Sequence, residues 1–113
     1  DADLVREIFG ARNSIFALKN NDEMAAYLCA QAILSPVTRM VSDAADWLGE
    51  RVADKAQGEA FLRALISSNL WKSECAPLIE ALNTPGGYNQ RLRQHMEANG
   101  TGEAVRAGLD DLE

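Results

Sequence analysis

The sequence predicts an all-α domain, and three observations point to it. Apolar residues recur at three- and four-residue spacing through most of the chain. Capping residues and glycines punctuate that pattern into segments of helical length. With 113 residues, 47% hydrophobic and 25% charged, the chain has the size and composition of one soluble globular domain, and residues 1–113 are read as that single domain.

Charge and cysteine usage narrow the functional classes. Eleven Lys and Arg against seventeen Asp and Glu give a net charge of -6. The basic residues are scattered, so most of the surface would repel duplex nucleic acid, and no nucleic-acid partner is expected. Cys29 and Cys75 sit among apolar neighbours in no metal-like or redox-like spacing, which reads as two buried free thiols in a reducing, cytoplasmic setting. The longest apolar run, Met24 to Leu34, is interrupted by Gln31 and is short for a bilayer span, so no membrane partner is expected. No signal peptide is visible. The chain opens on Asp1 directly at a helix start, which suggests a piece of something longer.

The elements follow in order. Asp1 or Asp3 can cap a short helix carrying Leu4, Val5, Ile8 and Phe9, ended by Gly10. Ser14 to Lys19 is a connector whose Ile15, Phe16 and Leu18 leave strand and loop both open. Asn20 with Glu23 forms a loose capping box for the strongest helical signal, which runs to about Leu48 before Gly49. Pro36 lies inside it, removing a backbone donor and crowding the preceding turn, so a kink or short break is expected there. Before the proline this helix is apolar all round, with Met24, Tyr27, Leu28 and Leu34 on one side and Ala25, Ala26, Cys29, Ala30 and Ile33 on the others. Such a helix needs cover all round. A chain this short has few other helices to supply it, so a second copy in a two-fold homodimer is expected.

Asp54 with Gln57 is a second capping pattern, opening a helix whose core stripe reads Phe61, Leu62, Leu65 and Ile66, up to about Leu70. Ser73 can cap a short helix through Leu82, with Pro77 near its first turn. Tyr88, Leu92 and Met96 recur on a polar helix closed by Gly100, and a last helix from about Thr101 shows Val105, Leu109 and Leu112. Trp47 and Trp71, each near a helix end, read as core packing or a dimer contact.

The best candidate for a ligand-touching segment is Thr84-Pro85-Gly86-Gly87, between two helices. Pro85 presets φ for the second position of a turn, and Gly86 can take the positive φ that a type II turn requires next. Gly87 leaves backbone open to a ligand. The helix start at Tyr88 and Asn89 offers unpaired amides at the positive end of the helix dipole, suited to a carboxylate or phosphate. Taken alone, these residues are also explained as a helix-to-helix turn, for which a proline and one glycine would suffice. Other polar residues suggest less. His95 is the only histidine and has no second ligand or nucleophile beside it, while Asp43, Asp46 and Glu50 read as a solvated helix face, so no metal site is expected.

The order of elements, together with the Thr84-Pro85-Gly86-Gly87 loop, resembles the C-terminal half of pyrroline-5-carboxylate reductases. The resemblance implies a helical dimerisation domain whose long helices interlock with a second copy. It also implies an N-terminal Rossmann domain, absent from this chain, that binds NADP or NAD. In that family a Ser-Pro-Gly-Gly-Thr-Thr loop and a Ser-Gly-Ser-Gly-Pro segment line the substrate pocket. Here they correspond to Thr84-Pro85-Gly86-Gly87-Tyr88-Asn89 and to Ala32-Ile33-Leu34-Ser35-Pro36. The implied substrate-binding residues are therefore Thr84, Pro85, Gly86, Gly87, Tyr88, Asn89 and Ser35. The changes at Ala32, Ile33 and Leu34 imply an imine or keto substrate other than pyrroline-5-carboxylate itself. Gly100-Thr101-Gly102 follows a helix and lacks a dinucleotide fingerprint, so it reads as a cap, and the domain alone is expected to be inactive. The alternative is a stand-alone helical dimerisation or interaction module.

Overall fold

Capping, glycine placement and helical periodicity produce six α-helices and one 3-10 turn in the computed structural model, which describes residues 21–113. The helix expected over Leu4 to Phe9, the Ser14 to Lys19 connector and the Asn20 cap lie outside the described residues. In chain order the helices are α1 (Asn21–Ala30), α2 (Leu34–Gly49), α3 (Lys55–Lys72), α4 (Cys75–Ala81), α5 (Tyr88–Ala98) and α6 (Thr101–Leu112). No strand occurs among the described residues, which are all-α as their periodicity predicts.

The 3-10 turn, Gln31–Ile33, joins α1 to α2 just before Pro36. Pro36 cannot donate to the Ala32 carbonyl, which removes one bond from the α pattern at this point. The Leu34 N–H reaches back to the Gln31 carbonyl, the tighter bond of a 3-10 helix. Ala30, Ile33 and Leu34 all keep right-handed helical dihedrals. The stretch Asn21–Gly49 is therefore helical for 29 residues, and by length and composition it could cross a membrane, a test that core helices of soluble proteins also pass.

Asp54 caps α3 as its sequence pattern requires. Its backbone is extended and its carboxylate accepts from the Gln57 N–H at 3.0 Å. Ser73 behaves differently from expectation. It closes α3, with its N–H donating to the Asn69 carbonyl, and α4 begins after Glu74 without a side-chain cap. Pro77 takes the third position of α4, where a missing amide costs no intrahelical bond.

The tightest packing joins α2 to α3. Ala45 and Gly49, one turn apart on α2, and Gly58 on α3 are the buried residues of the two helices. A Cβ at Gly58 would stand 3.1 Å from Leu48 Cδ2, and one at Gly49 would stand 3.0 Å from Lys55 Cγ. Small residues thus let the backbones approach. A glycine inside a helix costs about 1 kcal/mol against alanine, and the gain at Gly58 is this close approach.

Elsewhere little is covered. Leu62 and Ile66 of the expected α3 stripe are half-buried, but Phe61 is 59% exposed and Leu65 is 46% exposed. The stripe is therefore rotated toward Gly58, Leu62, Ile66 and Asn69, because the glycine marks the face that meets α2. In α1 no residue is buried, and Met24, Tyr27 and Leu28 stand open. Neither indole packs into a core. Trp47 is 60% exposed, with the Arg51 guanidinium 3.9 Å from its ring centroid, and Trp71 is 68% exposed. Cys29 is half-buried, whereas Cys75 is exposed at the first position of α4, a helix with no buried residue, so neither is the buried thiol expected.

Replacing Gly58 with leucine forces α3 away from Leu48. Urea unfolding at fixed protein concentration should show a loss of roughly 1–3 kcal/mol, the usual cost of overpacking.

Candidate functional site

The loop between α4 and α5 is built by its own residues. Two backbone bonds close α4, from the Leu82 N–H to Leu78 O at 3.0 Å and from the Asn83 N–H to Glu80 O at 3.1 Å. Next the Gly87 N–H donates to Thr84 O at 2.9 Å, and Gly86 has φ +74°, so Thr84 to Gly87 is the type II turn expected from Pro85 and Gly86. Gly87 itself is extended, at φ -73° and ψ 163°, and serves as the N-cap of α5. No positive φ demands glycine there. The reason is steric, since a Cβ at Gly87 would lie 3.1 Å from Thr84 O, the acceptor of the turn's closing bond. The second glycine therefore has a use in the turn itself, beyond leaving backbone open to a ligand.

A polar network holds this loop onto α5. Gln90 Oε1 accepts from the Gly86 N–H at 2.8 Å, and Gln90 Nε2 donates to Asn83 Oδ1 at 3.1 Å. Arg93 also donates to Asn83 Oδ1, at 2.8 Å, and to the Glu97 carboxylate at 2.9 and 3.1 Å. The two bonds to Asn83 Oδ1 are part-buried and so shielded more than surface pairs, whereas the Gly86–Gln90 and Arg93–Glu97 bonds are exposed. Sequence reasoning missed them. The available signal was a glutamine four residues after Gly86, at the start of a helix, where a side-chain amide can reach back to a loop N–H.

With the Gly86 and Gly87 amides occupied inside the loop, the donors left for a ligand belong to the first turn of α5, at Tyr88 and Asn89, which have no intrahelical acceptor. The Tyr88 side chain is 87% exposed.

The candidate residues do not all meet. A groove of about 530 Å³ runs between the α1–α2 junction and α5–α6, lined by residues including Ala32, Ile33, Pro36, Met40, Met96 and Val105. A second depression, of about 410 Å³, adjoins it through Met40, Met96 and Thr101, and Asn89 stands on its wall with Leu92 and Arg93. Of the predicted site residues, only Asn89 lines either space. Thr84, Pro85, Gly86, Gly87 and Tyr88 lie outside both, and Ser35 is exposed on the first turn of α2 beside Pro36. The groove is apolar, so it offers shape and hydrophobic contact more than polar chemistry.

Gly100 is the junction of α5 and α6. At φ +86° it ends one helix and caps the next, and the Thr101 hydroxyl donates to the Met96 carbonyl at 2.9 Å. That matches the reading of Gly100-Thr101-Gly102 as a cap. With a helix before it and no strand, this junction lacks the strand-turn-helix that holds a dinucleotide pyrophosphate. His95 is exposed, and among the described residues no three His, Cys, Asp or Glu side chains gather into a metal-binding group.

Gly86→Ala should cost about 1–2 kcal/mol from the left-handed backbone alone, since an added Cβ meets nothing within 4 Å. Gly86→Asn should recover much of that loss in thermal unfolding, because asparagine tolerates this region. In Gln90→Ala, hydrogen exchange followed by NMR should show the Gly86 amide opening several-fold faster while the Gly87 amide, bonded to Thr84, changes little. Equal protection of Gly86 in both proteins would mean that Gln90 does not hold the loop. No family model, curated protein or solved structure matches this chain.

Proposed function

We propose that this chain is a homodimerising helical domain. In the finer reading it is the dimerisation and substrate-binding part of a pyrroline-5-carboxylate reductase-like NAD(P)-dependent oxidoreductase acting on an imine or keto substrate. The observation that carries the assembly reading is the exposure of apolar side chains. Among the described residues eighteen large hydrophobics are more than a third exposed, while Ala45 is the only buried hydrophobic. Burying a large apolar side chain contributes roughly 1.5–3 kcal/mol, so a chain that leaves so many uncovered gains by presenting them to another surface. A second copy of the chain is the simplest such surface.

A bilayer would also cover α1. Against it, Arg39, Asp43 and Asp46 fall in the second half of the 29-residue helical stretch. Charged residues are costly inside a membrane span, most of all near its centre, so these three oppose burying the second half of the stretch in lipid. A protein surface leaves such residues at its solvated edge.

The reductase reading rests on the resemblance of the loop, and the type II turn with Asn89 beside the groove is compatible with it. In that reading Asn89 would hydrogen-bond the substrate's carbonyl, imine or carboxylate, and the dinucleotide, whose chemistry is hydride transfer, would be held by residues outside this chain. A stand-alone interaction module is the second reading. It is favoured by one specific observation: both loop glycines have turn-making reasons, and their amides are already bonded.

Sedimentation velocity of the chain at micromolar concentration should give twice the monomer mass in the absence of detergent. A monomeric species, or flotation with lipid vesicles, would overturn the dimer. Asn89→Ala, which leaves the turn's own bonds untouched, separates the two finer readings when made in the full-length protein: the reductase reading expects a folded dimer with turnover reduced at least tenfold. Undiminished turnover in a folded variant would refute a substrate pocket at this loop.

A further inference from the structure

We draw no further inference here: the strongest candidate, the apolar groove between the α1–α2 junction and α5–α6 lined by Ile33, Pro36, Met40, Met96, Val105 and Leu109, is an unpartnered apolar surface, and nothing in the structure shows what covers it beyond the second copy already proposed.

Discussion

The close approach of α2 and α3 at Ala45, Gly49 and Gly58 is the contact on which the rest of the arrangement depends. These are the buried residues of the two helices, and each is small enough to bring one backbone near the other. Leu48 lies over Gly58, and the Lys55 stem lies over Gly49, so larger neighbours fill the space the small residues leave. The Asp54 cap sets where α3 begins, and thereby places Gly58 one turn into the helix, opposite Leu48. A local hydrogen bond and a tertiary contact thus reinforce the same geometry.

The second half of the chain is organised by backbone conformation more than by burial. Gly86 and Gly100 are the only positive-φ residues among those described, and each marks a helix junction, α4 to α5 and α5 to α6. At the first junction Gln90, Asn83 and Arg93 hold the turn against the helix that follows. Such a network ties the loop to the helix that follows through side-chain hydrogen bonds. A preordered loop suits binding, because less conformational freedom is lost when a ligand arrives. It equally suits a rigid connector, which is why the loop's geometry supports two functional readings.

The scarcity of buried side chains has a thermodynamic consequence. A domain of this size ordinarily buries well over half of the surface its unfolded chain exposes, and hydrophobic burial is what offsets chain entropy. Here the apolar faces of α1, α3 and α5 keep Tyr27, Phe61 and Leu92 in contact with water. For any chain whose apolar faces are covered only on association, folding and association become one equilibrium, and stability depends on protomer concentration.

The sequence by itself determined what depends on neighbours in the chain. Helical periodicity, the Asp54–Gln57 cap, the type II turn at Pro85 and Gly86, and the cap at Gly100 were all legible, because each is decided within four or five residues. Tertiary structure decided which faces meet. It turned the α3 stripe toward Gly58 and left Phe61 and Leu65 outside, since periodicity specifies an apolar face only to within about a turn, while the partner helix selects the part that packs. It also left Cys75 and both indoles exposed and put Ser73 at the end of a helix rather than the start of one. At the candidate site it put Asn89 on the depression that adjoins the groove and left Ser35 and Thr84 to Tyr88 outside both. A pocket is formed by residues distant in sequence, and one-dimensional spacing carries no measure of that distance.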